Sequence, residues 1–244
     1  MYQRPGRFSL LPEVIKNLLI INGLFFLATV VMGNVLQLGL IETLGLYLPG
    51  SPQFEPYQLI THMFMHGNLG HIFFNMFALW MFGYTLENIW GSRKFLIYYL
   101  VTGLGAAMLH LGINLTEAYF LQQELLDMGY SLAELQQVRG SASYSGAWPP
   151  ALQNYALKYG IPTVGASGAV FGVLLAFGMM FPNQYIYVYF ALPIKAKYFV
   201  AIYGALELYN GIANDPDSNV AHFAHLGGML FGYFLIRYWR KKGY

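Results

Sequence analysis

A chain of 244 residues that is 57% hydrophobic and only 10% charged departs from soluble domains, in which about a quarter of residues carry charge. Its apolar residues gather in long runs, so a membrane is the first environment to test. The net charge of +2, without clustered Lys and Arg, gives no basis for a nucleic-acid partner, and the absence of cysteine excludes a disulfide framework, a thiolate metal site and a cysteine nucleophile.

Residues 1–16 are polar and mixed, and are expected to form a cytoplasmic N-terminal segment. They are not expected to be a cleavable signal peptide, because the apolar run that follows is too long for one. Six spans are then expected: Asn17 to Leu40, Leu69 to Trp90, Phe95 to Leu115, Ala166 to Phe181, Ala196 to Ile212 and His222 to Trp239. The fourth and fifth are short against the roughly 20 residues a crossing needs. The expected fold is all-α: one polytopic membrane domain over residues 1–244, a six-helix bundle with an external helical insert at residues 114–164. Many of the 20 Tyr and 19 Phe sit near the span ends, where aromatic rings settle at headgroup level.

Charge placement tests the span count separately. Arg4, Arg7, Lys16, Arg93, Lys94, Lys195, Lys197, Arg237, Arg240, Lys241 and Lys242 fall on one face of a six-span topology, and only Arg139 and Lys158 on the other. The positive-inside rule puts the first face, with both termini, in the cytoplasm. With no organelle-targeting extension before the first span, a bacterial inner membrane is the simplest expected location.

On the external side, Ile41 to His62 holds Glu42 and Glu55 and no Lys or Arg. In the insert, Leu121, Leu125, Met128, Leu132 and Leu135 repeat at helical spacing. Gly129 divides the stretch, Ser131 and Glu134 have capping-box spacing, and Pro149 and Pro150 open a further helix ending near Gly160. These helices are expected to lie on the outer membrane surface or to pack as a lid on the span ends.

Polar groups inside spans are costly and tend to be functional. His62, His66, His71, His110, His222 and His225 all map to the external half, as does Ser167. Ser167 lies in Gly165-Ala166-Ser167-Gly168, where glycines permit a tight turn and a helix start offers free amides to a developing anion. Gly168 and Gly172 form one smooth stripe, Gly228 and Gly232 another on the face that carries His225. Packing of the two stripes brings His225 to Ser167, where a neutral imidazole can accept the serine proton. His71 and Asn75, four residues apart, can donate to an oxyanion, and His66 can hold the preceding loop. No acidic residue has an evident claim as a third member, so the expectation is a Ser–His dyad. Glu207 stays unassigned between a structural partner and part of a substrate gate. Without a His-Glu-x-x-His sequence or a carboxylate at ligand spacing, neither a metal nor a cofactor is expected.

These residues resemble the rhomboid family of intramembrane serine proteases, from about Pro56 to Tyr238. Gly165-Ala166-Ser167-Gly168 is similar to the family's nucleophile motif. Ala224-His225-Leu226-Gly227-Gly228, continuing to Gly232, is similar to its histidine motif, and His66 to Asn75 to its second-span motif. The resemblance implies that Ser167 attacks a peptide carbonyl with His225 as base and then acid. It implies that His71, Asn75 and the Ser167 amide stabilise the oxyanion, and that Phe171 packs on the histidine. It implies membrane-anchored protein substrates, reaching the site beside the fifth span, which must unwind locally. The family's Trp-Arg pair has no counterpart between Ile41 and His62. The alternative function is a non-catalytic rhomboid-like protein that binds client helices; retention of both Ser167 and His225 favours the protease. The sequence leaves the oligomeric state open.

Overall fold

The computed structural model describes residues 8–141, 148–188, 191–213 and 220–243. Arg4 and Arg7 of the charge pattern, and residues 142–147 of the insert, lie outside these.

Helix α1, Glu13–Leu36, starts at Pro12 and is anchored by a carboxylate from elsewhere. Glu87, 2% exposed, accepts the Val14 and Ile15 amides at 2.8 Å each. It thereby satisfies donors that a helix start leaves open and places negative charge at the positive helix end. Two short helices, α2 (Leu40–Leu44) and α3 (Gln58–Thr61), and a 3-10 turn at His62–Phe64 carry the first external loop. Helix α4, Leu69–Trp90, coincides with the expected second span, and the Asn68 side chain caps it by accepting the His71 amide at 2.8 Å.

Helix α5, Ser92–Asp127, has 36 residues, a length of about 54 Å. It outruns the roughly 30 Å hydrocarbon core, so the helix runs on past Leu115, where the third span is expected to end. The first part of the insert is the same helix continued. Gly129, at φ 96°, breaks the chain as expected, and α6 (Leu132–Val138) opens with the full Ser131–Glu134 capping box. Hydrogen bonds from Ser131 hold the exposed Glu134 carboxyl below its ordinary pKa. Helix α7, Pro150–Gly160, has proline in its first turn.

The insert packs on itself and on the α5 extension. Leu125 and Leu135 of the apolar stripe join Leu48, Ala118, Leu152, Tyr155 and Tyr159 in a small separate core. Met128 and Leu132 of the same stripe stay exposed. Arg139 lies over the Tyr159 ring at 4.6 Å and donates to the Tyr155 hydroxyl and to Gln122.

Helix α8, Ser167–Met180, is only 14 residues long but buried on nearly every side. It forms the axis of the bundle, with α4, α5 and α10 (His222–Lys241) packed around it. Between α8 and α9 (Ala196–Ala213) the chain forms a two-stranded antiparallel hairpin, β1 (Tyr185–Val188) and β2 (Leu192–Lys195), with Tyr185 opposite Lys195. This hairpin is a local addition to a fold that is otherwise helical among the described residues. The β-branched and aromatic residues of Tyr-Ile-Tyr-Val favour a strand. Helix α9 leans on α8 and α10 by one face and barely touches α4.

By length and composition α1, α4 and α5 can each cross a membrane. The exterior agrees: Leu24, Leu27, Phe73, Phe74 and Ile212 are all more than half exposed. Such a surface suits helices that satisfy their backbone internally and face hydrocarbon. At the end expected to be cytoplasmic, Trp90, Tyr98 and Trp239 cluster, with Lys94 above the Trp239 ring at 4.6 Å. The chain is a helical membrane bundle.

The helix axes at the centre approach closely because glycine lines them. A Cβ on Gly228 would land on the carbonyl oxygen of Gly168. The stripes do not simply face each other as expected, because α5 enters between their lower halves. Gly172 faces Thr102, Gly232 faces Tyr98, and the Tyr98 hydroxyl donates to the Gly172 carbonyl at 2.8 Å. Gly228→Ala is therefore expected to destabilise the protein by about 3 kcal/mol, the upper part of the overpacking range, read as a lowered thermal midpoint in detergent. Gly33→Ala, with nothing within 4 Å of the added carbon, should melt no lower than the unaltered protein. Equal midpoints for the two variants would refute this packing.

Candidate active site

The approach to Ser167 is fixed by three ties. Thr163 exchanges backbone hydrogen bonds with Leu46 at 2.8 and 2.9 Å, so the first external loop holds the segment before α8. The Gly165 amide donates to the His62 carbonyl at 2.9 Å. Gly165 has φ 126°, which L residues rarely adopt, and a Cβ there would come within 2.7 Å of His71 Nε2. Both constraints require glycine. Ala166 then caps α8 and Ser167 is its first residue, so its amide is among those that a helix start leaves without an intrahelical acceptor.

His225 lies one turn into α10 and is 8% exposed. The Gly168–Gly228 contact brings its ring to Ser167: Nε2 is 2.9 Å from Oγ. Phe171, one turn after Ser167, stacks on the imidazole with centroids 4.1 Å apart and planes within 3°. Tyr203 of α9 covers the other side of Phe171 at 4.9 Å. The ring plane of His225 is thus set by packing and its edge by hydrogen bonding.

Its other nitrogen meets Glu207. Glu207 Oε2 lies 2.9 Å from His225 Nδ1 and 2.7 Å from His222 Nδ1, and the residue is 5% exposed. From the sequence no acidic residue has an evident claim on the histidine, and Glu207 is open between a structural partner and part of a substrate gate; the contact makes it a hydrogen-bond partner of both histidines. Glu207 stands 18 residues before His225 in the chain and on a different helix, so no spacing rule links them. The available signal was an acidic residue within an apolar helix.

His71 projects toward Gly165, and His66 lies beside it, rings 5.0 Å apart. His66 is fully buried and neither ring nitrogen has a protein hydrogen-bond partner among the described residues. Burial, reinforced by His71, pushes His66 down to about 4, so it is neutral at physiological pH. Asn75 is also buried, and its amide nitrogen donates to the His71 carbonyl at 3.0 Å. That bond uses one of two amide hydrogens.

Behind Ser167 lies a cavity of about 20 Å³ lined by His62, His110, Thr163, Gly165, Ser167 and Ala224. That is room for a water molecule among polar partners. His62 donates from Nδ1 to the Gln58 carbonyl at 2.7 Å, and burial pushes it down to about 4. His110 Nε2 meets the Thr163 hydroxyl at 2.9 Å. All six histidines therefore gather at one end of the bundle, around Ser167 or against Glu207.

Glu207, His222 and His225 each bring one ligand atom within 4.8 Å of the others. Two histidines and a carboxylate form a donor set that suits zinc, so among the described residues these three could hold a metal. The same atoms are also fully accounted for by hydrogen bonds, in which both Nδ1 groups share one carboxylate oxygen.

The arrangement is a serine hydroxyl on an imidazole, at a helix start with free amides, inside a membrane bundle. The Rhomboid domain matches residues 53–242. Rhomboid protein 1, mitochondrial, of Saccharomyces cerevisiae is 25% identical over 174 residues, 71% of this chain and 39% of that protein. RHOMBOID-like protein 12, mitochondrial, of Arabidopsis thaliana is 27% identical over 172 residues, 70% of this chain and 42% of that protein. Rhomboid protease AarA of Providencia stuartii is 27% identical over 177 residues, 70% of this chain and 51% of that protein. The chain thus spans between two fifths and about half of the length of these relatives. The domain match takes in all three motif segments and the helices that carry them, and on that ground this chain belongs to the rhomboid family.

Proposed function

We propose that the chain is an intramembrane serine endopeptidase that hydrolyses peptide bonds in or near the transmembrane segments of membrane-anchored proteins. The observation that carries this reading is the 2.9 Å contact between Ser167 Oγ and His225 Nε2, within hydrogen-bond reach for proton transfer.

Ser167 Oγ adds to the scissile carbonyl carbon while its proton passes to His225 Nε2. The carbonyl oxygen becomes an oxyanion, stabilised by the Ser167 amide at the start of α8 together with His71 and Asn75. Collapse breaks the C–N bond, and His225 returns its proton to the leaving amine. Water then adds to the acyl-enzyme by the same route, and the cavity lined by His62 and His110 stands beside Ser167 for its supply. The stacked Phe171 keeps the imidazole from turning away between the two half-reactions.

Substrate reaches the site past α9. Support for this comes from the one-sided packing of α9 and its slight contact with α4, which leave that flank the least closed of the bundle. A substrate helix hides its carbonyls in hydrogen bonds and must open before attack. In this reading six helices cross the membrane, with the Arg- and Lys-rich ends in the cytoplasm. Several of the relatives are named as mitochondrial, which does not favour the bacterial inner membrane expected from the sequence.

A fluorophosphonate probe tests the nucleophile without a known substrate. It should label the full-length protein in detergent at Ser167, fail on Ser167→Ala, and slow by about a hundredfold or more on His225→Ala, the range for losing a general base. Equal labelling of Ser167→Ala refutes the protease reading. Because the phosphonyl oxygen occupies the oxyanion position, His71→Ala and Asn75→Ala should each slow labelling by roughly tenfold to a hundredfold, toward the cost of one lost oxyanion donor. An unchanged rate in either variant removes that residue from the role.

A further inference from the structure

We propose that Glu207 is a positioning residue of this site, the acidic third member of a Ser167–His225–Glu207 relay carried on α9. The proposal rests on the serine protease reading above and deepens it.

The chain of contacts is continuous. Ser167 Oγ to His225 Nε2 is 2.9 Å, and His225 Nδ1 to Glu207 Oε2 is 2.9 Å. An ionised carboxylate can only accept hydrogen bonds, so it fixes the proton of His225 on Nδ1. The lone pair of Nε2 then faces Ser167, which is the tautomer a general base needs. When Nε2 takes the serine proton, the carboxylate faces the new imidazolium at hydrogen-bond distance. Glu207 and His225 are both nearly buried, where such an interaction is far stronger than in water.

His222 supports the relay. Its Nδ1 donates to the same Oε2 at 2.7 Å, so the carboxylate is held from two sides. The contact is more than a link between α9 and α10, because a buried carboxylate costs more to desolvate than an amide of the same shape. A glutamine would cross-link the helices at lower cost, yet would supply no charge to the imidazolium.

The test uses the full chain in detergent and fluorophosphonate labelling resolved into KI and kinact. In the reaction the Ser167 O–P bond forms, the P–F bond breaks, fluoride leaves, and the serine proton passes to His225. Glu207→Gln should leave KI within about twofold and lower kinact by about a hundredfold or more, the loss of the acid in soluble serine proteases being larger still. Glu207→Asp should recover part of that loss. A link with no part in proton transfer would lower the thermal midpoint and leave kinact of the folded fraction unchanged, and that result overturns the proposal.

A spectroscopic reading on the unaltered protein stands apart from whether the variants fold. A hydrogen-bonded Nδ1 proton of His225 should appear as a downfield proton resonance in nitrogen-15-labelled protein, absent from His225→Ala. No such resonance in the unaltered protein overturns the proposal. Labelling should also survive chelation with EDTA, and its loss on chelation would give the three atoms to a metal and overturn the proposal as well. If the unaltered protein is not labelled at Ser167, the protease reading itself fails. Labelling at Ser167 with kinact indifferent to Glu207→Gln refutes the relay alone.

Discussion

The contact on which the rest of the structure depends is the one between the backbones of α8 and α10, where Gly228 rests against the carbonyl of Gly168. In hydrocarbon, helices gain little from hiding apolar side chains from each other, and close packing of small residues becomes the main source of association. Here that approach also sets the chemistry. His225 lies one turn before Gly228, and Ser167 immediately precedes Gly168. The distance between the two reactive side chains is therefore fixed by the same backbone contact that holds the bundle together. A side chain at Gly228 would pull the imidazole from the hydroxyl as it pushed the two helices apart.

A second constraint follows from placing polar chemistry among apolar helices. Each buried polar group needs a partner, and at this end of the bundle the partners are mostly one another. His62 is held by Gln58 and its carbonyl holds Gly165. His110 is held by Thr163, which is tied to Leu46. His222 and His225 share Glu207. The first external loop and the insert are thus parts of the site's support. The insert's own small core, with Tyr155 and Tyr159 around Arg139, holds α7 and with it the segment that leads to Ser167.

Much of this was legible in the sequence, for identifiable reasons. Span positions follow from apolar runs, and the span expected at roughly Leu69 to Trp90 coincides with α4. Ser167, His225, His71 and Asn75 stood in short motifs whose glycine and polar spacing is itself the physical requirement. What was not legible depended on contacts between distant segments. The length of α5 beyond Leu115 is set by what α7 and Leu48 bury against it, not by hydropathy. The hairpin at Tyr185–Lys195 was hidden in a connection too short to show a period. The placement of Thr102 and Tyr98 against the glycine stripes depends on α5, which carries no glycine signature at those positions.

Glu207 shows the same limit at the site itself. Its meaning lies across two helices, and it differs from the other site residues in what carries it. Ser167, His225, His71 and Asn75 sit on α8, α10 and α4, the central helices of the bundle. Glu207 sits on α9, together with Tyr203 that covers Phe171, and α9 is held by one face only. Displacement of α9 away from α10 would withdraw the carboxylate from His225 and the ring from Phe171 in the same movement. Alignment of the imidazole therefore depends on a helix seated less firmly than those that bear the nucleophile and the base. The dependence is built into the geometry: two of the contacts that orient the imidazole run, directly or through Phe171, to the least-packed helix around the site.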